Sequence, residues 1–315
     1  MNTLFGQSSV SRFNAPALST LSGVAIDFGG TKIAVARYEN GVQIDRHQVA
    51  THGEVSVDQQ IDAITDLLRQ VRLTEHDLLG VAVTGRVDRD GNWYAVNTDT
   101  LTKIDKVPLL SLLAQRLESK LVVINDAVAG AFAEAHYGAG SGVNNLAYIT
   151  VSTGVGGLCV IDGLPLTSQS GLAGHAGFMA SRYANERCGS GRLATVESVA
   201  SGRAISQAAK AAGYENLTAK QVFSHRDNQE AWAIDSVNRS AQAIADLCAN
   251  LVALAGIERV VLGGSIGLAE GYRQQVQAFM HEEPALFQTE ILCASLGQNS
   301  VLLGALAAVS HNQVW

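Results

Sequence analysis

Two stretches of this 315-residue chain run through the same series of signals. In the first, Gly23-Val-Ala-Ile-Asp-Phe28 overlaps the glycine turn Asp27-Phe-Gly-Gly-Thr-Lys32. Lys32 to Arg37 and Val42 to Val49 then alternate on either side of Glu39-Asn-Gly41. In the second, Leu146 to Val151 meets Ser152-Thr-Gly-Val-Gly-Gly157, and Leu158 to Ile161 leads into Asp162-Gly163. Short apolar or alternating runs bounded by Asn-Gly and Asp-Gly read as strands joined by hairpins. A pattern that returns once at this spacing is a repeat at domain scale, not a solenoid period.

The intervening segments change period. After Val57, the residues Ile61, Ile64, Leu67, Leu68 and Val71 share one helical face. Leu79 to Val83 reads as a strand, Pro108 opens a helix through Leu117, and Leu121 to Asn125 is a strand. A small-residue helix is expected from Ala127 to about Tyr137. Further helices are expected from Val196 to Ala212, Glu230 to Ala255, Ala269 to Met280 and Val301 to Val309. Strands are expected at Glu258 to Leu262 and Ile291 to Ser295. Strands alternating with helices predict an α/β chain with mixed sheets covered by helices, and the length suits two domains. The expected division is a mobile polar tail at 1–22, an N-terminal domain at 23–125 and a C-terminal domain at 126–299. The last helix, at about 300–312, is expected to pack back on the first domain. Gly138-Ala-Gly-Ser-Gly142 reads as a flexible connection. Two such domains leave a cleft, the usual seat of a ligand.

The formal net charge is −7, so no basic field draws the chain to nucleic acid or an anionic membrane. An anionic ligand would have to be held by local backbone donors. The four cysteines, Cys159, Cys188, Cys248 and Cys293, are scattered and do not form a disulfide framework. No signal peptide is visible, and no apolar stretch approaches the roughly 20 residues of a membrane helix. A cytoplasmic protein with neither nucleic-acid nor membrane partners is expected.

Asp27-Phe-Gly-Gly-Thr-Lys32 matches neither a Walker A loop nor a dinucleotide fingerprint. Its adjacent glycines would let backbone N–H groups approach a phosphate, Thr31 adds a hydroxyl, and Asp27 could hold the waters of Mg²⁺. A plain hairpin with a structural aspartate fits equally well. Ser152-Thr-Gly-Val-Gly-Gly157 repeats the device, and Gly263-Gly264 ends a later strand. Two copies at equivalent places suggest a nucleotide phosphate tail held between two domains. Asn125-Asp126 ends the run Leu121-Val-Val-Ile-Asn-Asp126. Asp126 could take a proton from a hydroxyl as a phosphoryl group transfers. It also reads as the N-cap of the following helix. His175, among glycines, reads as a surface or capping residue. Glu197, near a helix start, reads as favourable to the helix dipole.

Together these residues resemble the ROK family of bacterial sugar kinases from about Gly23 to the C-terminus. Within it, Gly171-Leu-Ala-Gly-His175 and Gly263-Gly-Ser-Ile-Gly-Leu-Ala-Glu-Gly-Tyr272 resemble the bacterial N-acetylmannosamine kinases. The resemblance implies an actin-like (ribonuclease H-like) ATPase fold, with two α/β domains around a cleft that closes on ATP, Mg²⁺ and sugar. It makes Asp126 the base for the 6-hydroxyl, and puts Asn125, His175 and Glu197 on the sugar hydroxyls. It matches Gly85, Arg86, Asn97 and Thr98 to sugar or N-acetyl loops. The ATP side would use Asp27, Gly29, Gly30, Thr31, Lys32, Thr153, Gly154, Gly156, Gly157, Gly263 and Gly264. A homodimer is expected by the same likeness.

Two departures from the family pattern bear on these expectations. ROK glucokinases usually carry a glutamate two positions before the histidine; here it is Ala173. The family's zinc loop, Cys-x-Cys-Gly-x-x-Gly-Cys-x-Glu, reads here Cys188-Gly-Ser190-Gly-Arg-Leu-Ala-Thr195-Val-Glu197. His175 and Cys188 alone cannot supply the tetrahedral ligand set of a structural zinc, so no structural zinc is expected. The alternatives are a kinase for another hexose (glucose or N-acetylglucosamine) or a sugar-binding ROK protein without catalysis. A ROK repressor would need a helix-turn-helix ahead of the sugar domain, for which a tail ending near Ser22 is too short.

Overall fold

The computed structural model describes residues 13–96 and 104–311. The first repeat forms strands β1 (Gly23–Phe28), β2 (Lys32–Glu39) and β3 (Val42–Ala50). Helix α1 (Val57–Gln70) follows, begun by a reciprocal cap between Ser56 and Gln59. Then come β4 (Leu78–Val83), a small ribbon of β5 (Arg86–Val87) and β6 (Trp93–Tyr94), α2 (Leu109–Arg116), β7 (Lys120–Asn125) and α3 (Asp126–Tyr137). The second repeat forms β8 (Leu146–Val151), β9 (Val155–Ile161) and β10 (Leu164–Pro165). It continues through α4 (Glu197–Ala200), α5 (Gly202–Ala211), α6 (Ala219–Asp227), α7 (Ala231–Ala255), β11 (Arg259–Gly263) and α8 (Gly264–Gly267). The described chain ends with α9 (Tyr272–Met280), β12 (Glu290–Cys293) and α10 (Ser300–Ser310).

The repeat seen in the sequence is a repeat of sheets. The first is ordered β3-β2-β1-β4-β7 and the second β10-β9-β8-β11-β12. In both, the first three strands pair antiparallel as hairpins and the last two join in parallel. Parallel pairing needs crossovers, and the helices supply them. One face of the first sheet packs Val24, Ile26, Leu79 and Val81 on the apolar stripe of α1 and on Leu113 of α2. The outer face of the second sheet is covered by α5, α7 and α9 through Ile205, Val237, Ile244, Tyr272 and Val276.

Helix α3 stands between the two sheets. Ala129, Phe132 and Ala133 face α10 and the first sheet, while Ala131 and Ala135 face Leu146, Tyr148, Leu158 and Val160 of the second. Its small residues permit this double contact. Helix α10 returns to the first sheet, buried from Leu302 to Val309. At Gly80 of β4 an added Cβ would meet the Ala305 carbonyl oxygen at 2.2 Å, and at Gly304 it would meet that of Ala129 at 1.8 Å. Backbone therefore lies directly on backbone at both crossings.

Three segments differ from expectation. Of the stretch read as a mobile tail, residues 13–22 are docked. Phe13 packs on Phe132, His136 and His311, its N–H donates to the Asp162 carbonyl at 2.8 Å, and Leu21 is buried. Its scattered apolar residues lack a period, which is why they read as disorder. The connection Gly138–Gly142 is pinned, not loose. The N–H groups of Gly138 and Gly140 donate to the Glu134 carbonyl, and the Arg259 guanidinium donates to the carbonyls of Ala139 and Ser141. The helix expected from Val196 to Ala212 is broken at Ser201, which turns extended (φ −69°, ψ 157°) and caps α5 through its hydroxyl.

Gly304→Ala should lose about 2 kcal/mol or more of stability, because backbone cannot yield as a side chain can. Leu254→Ala, at an exposed site on α7, should stay within about 0.5 kcal/mol. Denaturant unfolding of both variants checks the contrast; equal midpoints would contradict the tight crossing.

Candidate active site

The strand ends of both sheets converge on a cleft of about 380 Å³. Its walls are the first glycine turn (Gly29, Gly30, Thr31), Thr84 and Gly85 after β4, Asn125 to Val128, and the second glycine turn from Ser152 to Gly157. His175, Phe178, Ser190 and Glu197 complete it.

Asn125, not Asp126, caps α3. Its side-chain oxygen accepts the Val128 N–H at 3.1 Å, and its amide donates to the Gly85 carbonyl at 2.6 Å and to Asp126 Oδ1 at 2.9 Å. Either residue could cap by sequence; the register puts Asp126 inside the first turn. There its Oδ1 also accepts the Ala127 N–H at 2.8 Å. Protein surrounds this carboxyl except on its cleft side. Burial, and then the negative charge of Asp27, push its pKa up to about 7, against hydrogen bonds from Ala127, Thr84 and Asn125. Asp27 is itself raised by burial, opposed by Lys32 and Arg46. Thr84 is a site residue that sequence reasoning missed; the strand running into Gly85 was the available signal. The Thr84 carbonyl accepts the indole N–H of buried Trp93 at 2.8 Å, which fixes this turn.

The first turn is held from outside. The Gly29 N–H donates to the Lys32 carbonyl at 2.9 Å, and the Thr51 hydroxyl donates to the Gly29 carbonyl at 2.8 Å. In the second, only Ser152 to Gly154 forms the turn, and Gly156 and Gly157 already belong to β9. The N–H groups of Gly202 and Arg203 donate to the carbonyls of Ser152 and Thr153. Gly263 and Gly264 do not line the cleft. Gly264 (φ +85°) packs an added Cβ's space against the Val151 carbonyl at 2.3 Å, a position only glycine fits. Ser265, next in line, bonds Ser152 across this junction at 3.1 Å.

Glu197 reaches the second turn. Its Oε2 accepts the Val155 N–H at 3.0 Å and lies 2.5 Å from where a Cβ of Gly154 would stand. Thr195 and Ser198 bracket it with reciprocal bonds: the Thr195 N–H donates to Ser198 Oγ at 3.1 Å, and the Ser198 N–H to Thr195 Oγ1 at 3.2 Å. His175 stacks on Phe178 and bonds the Leu172 carbonyl through Nδ1 at 3.1 Å. Burial lowers its pKa, keeping the ring neutral near pH 7. Arg86 donates to the Ser170 carbonyl and lies over the Tyr94 ring, outside the cleft walls. Asn97 and Thr98 lie outside the described residues.

The donor set at the loop 188–195 does not suit zinc. Cys188 Sγ is paired with Ser190 Oγ at 3.0 Å, Thr195 is fully buried with its hydroxyl engaged, and the Arg187 guanidinium donates to the Gly191 carbonyl. Among the described residues no group of three or more His, Cys, Asp or Glu could hold a metal ion, and no helix is long and apolar enough to cross a membrane.

The model of the ROK family matches residues 23–312. The chain is similar to the N-acetylmannosamine kinase of Citrobacter koseri, with 38% identity over 286 residues, 90% of this chain and 97% of that protein. It is similar to the N-acetylmannosamine kinase of Vibrio cholerae, with 39% identity over 283 residues, 90% and 97% of the two chains. Among solved structures, the ROK hexokinase from Thermus thermophilus superimposes with a TM-score of 0.79 at 26% identity, covering 93% of this chain and 99% of its own.

The Asp126 carboxyl stays protonated in the fold up to about 7, whereas its unperturbed value is 3.8. Its contribution to stability is therefore present below 3.8 and is lost as the pH rises through about 7. Asp126→Asn removes that loss. The variant should melt at least about 2 °C above wild type at pH 8 and match it near pH 4. A variant that melts lower at pH 8 would show that burial does not govern this group.

Proposed function

The chain belongs to the ROK family and has that family's actin-like fold of two α/β domains, and we propose that it is an ATP-dependent N-acetylmannosamine 6-kinase. The observation that carries this reading is the half-buried Asp126, its carboxyl desolvated and poised near neutrality, in one cleft with two glycine turns. A sugar 6-hydroxyl set against Asp126 gives its proton to the carboxylate as its oxygen bonds the γ-phosphorus of ATP. The bond from that phosphorus to the bridging oxygen breaks, and ADP leaves with the electron pair. Mg²⁺ arrives with ATP as part of the substrate and neutralises phosphate charge; Asp27 is the carboxylate suited to its waters.

Gly29, Gly30 and Thr31 on one wall and Thr153 and Gly154 on the other are the phosphate-side groups. In a chain of net charge −7, these local backbone donors and the accompanying cation take the place of a basic field. Glu197 and His175 form the sugar side. The Asn125 amide is already committed to Gly85 and Asp126, so its main part is to orient the base. Gly263 and Gly264 support the second turn from behind. We take the protein to be zinc-independent, because the loop that would hold zinc is closed by the Cys188–Ser190 and Thr195–Ser198 bonds. A cytoplasmic homodimer fits the four free cysteines and the general frequency of such assemblies.

ATP consumption by the protein across N-acetylmannosamine, N-acetylglucosamine, glucose and mannose tests the substrate. Clear preference for N-acetylmannosamine is expected; turnover confined to another sugar would move the assignment to that hexose. Asp126→Asn should lower kcat by about 10²–10⁴-fold while sugar binding, measured by calorimetry, changes little. Wild-type kcat/KM should rise with pH through about 7, as Asp126 ionises, and level off above it. A flat profile across that range would remove Asp126 as the base. Chelator treatment followed by Mg²⁺ should leave activity within about twofold, since among the described residues no ligand set of a structural zinc is present. Loss of activity that zinc alone restores would overturn zinc independence.

A further inference from the structure

Helix α4 is a single turn that serves two walls of the cleft. Glu197 opens it on the sugar side, and its last residue, Ala200, is followed by the break at Ser201. Directly past the break, the N–H groups of Gly202 and Arg203 donate to the carbonyls of Ser152 and Thr153 at 2.7 and 3.2 Å. The backbone of this break therefore sets both the place of Glu197 and the seat of the second glycine turn.

A helix that stops leaves carbonyls without their partners. The N–H that would close the next turn on Ala200, that of Ala204, goes to the Ser201 hydroxyl instead. Ala200 is fully buried, so its carbonyl oxygen cannot turn to water. Ser240 of α7 meets it, its hydroxyl donating to the Ala200 carbonyl at 2.9 Å. A serine hydroxyl has one proton, and that proton is now spent. The 2.7 Å bond between the Ser240 and Tyr272 hydroxyls must then run from tyrosine to serine. Tyr272 opens α9 and, like Ser240, is fully buried. Burial also pushes its phenol up, which keeps it a donor near neutrality. The result is a directed chain from the Tyr272 hydroxyl through the Ser240 hydroxyl to the Ala200 carbonyl, in which each dipole strengthens the next. Neither hydroxyl residue lines the cleft; both stand behind its wall.

We infer that Ser240 and Tyr272 are positioning residues for substrate binding: their relay holds the break after Ala200, and through it both Glu197 and the second glycine turn, in the geometry that grips sugar and ATP. The inference rests on the reading of the cleft as that of a sugar kinase. Asp126 stands on α3, held by Asn125 and Ala127, and has no bond to the relay. The relay thus acts on how tightly the substrates are held and not on the proton transfer.

The test is steady-state kinetics of Ser240→Ala and Tyr272→Phe beside wild type, with ATP, Mg²⁺ and whichever hexose wild type turns over. Ser240→Ala should raise KM for sugar and for ATP each about three- to tenfold, the weight of one net hydrogen bond, with kcat within about twofold. Tyr272→Phe keeps the Ser240 bond and the volume of the ring, so it should raise both KM values by a smaller factor. The rise of kcat/KM with pH through about 7 should stay where wild type has it, since Asp126 is untouched. A lower melting point with reduced kcat and unchanged KM values would reduce the hydroxyls to packing and overturn the inference. A rise in only one KM would overturn the joint hold on the two walls. If Ser240→Ala does not fold, Tyr272→Phe decides alone, and unchanged KM values there overturn the relay. No turnover of any hexose by wild type would overturn the kinase reading and the inference with it.

Discussion

The carboxamide of Asn125 fastens two pieces of backbone and one carboxyl to a single point. Its oxygen closes the first turn of α3, one N–H holds the Gly85 carbonyl, and the other holds Asp126. β7 ends there, α3 begins there, and the turn after β4 is drawn alongside. Loss of this amide would leave the half-buried Gly85 carbonyl without its donor and remove one of the donors to the Asp126 carboxyl. The position of Asp126, the proposed base, is thus set by the same contact that starts the helix between the two sheets.

Around that point, negative charge accumulates where solvent is thin. Burial, and then the charge of Asp27, raise the cost of ionising Asp126, while burial raises that of Asp27 and Lys32 and Arg46 partly relieve it. A carboxyl held near neutrality suits proton transfer at physiological pH, because a strongly acidic carboxylate would be a poor acceptor. The arrangement costs folding stability at high pH, a common trade at functional sites. It also fits a reaction in which a divalent cation and a polyanion enter together.

The loop from Cys188 to Glu197 is positioned by its own hydrogen bonds. Thr195 and Ser198 clamp Val196 and Glu197 between them, and Glu197 accepts the Val155 N–H. Ser190 pairs with Cys188 and also lines the cleft.

Much of this was legible in the sequence. The repeated strand, turn and hairpin signals set two sheets of like topology, because a hairpin's register is local and its turn residues are few. The glycine turns and Asn125-Asp126 were visible for the same reason. The broken helix at Ser201, the docking of Phe13 and the pinned turn after α3 were not, since their partners lie far off in the chain. Which of Asn125 and Asp126 caps the helix was undecided by type, as both residues cap well. Only the tertiary structure decided it, by bringing the Gly85 carbonyl within reach of one amide and burying the other side chain beside Asp27. Residue type and spacing thus determine the elements and the candidate chemistry. Desolvation and long-range contact, which depend on the whole fold, decide which carboxyl is tuned and which glycine turn faces the cleft.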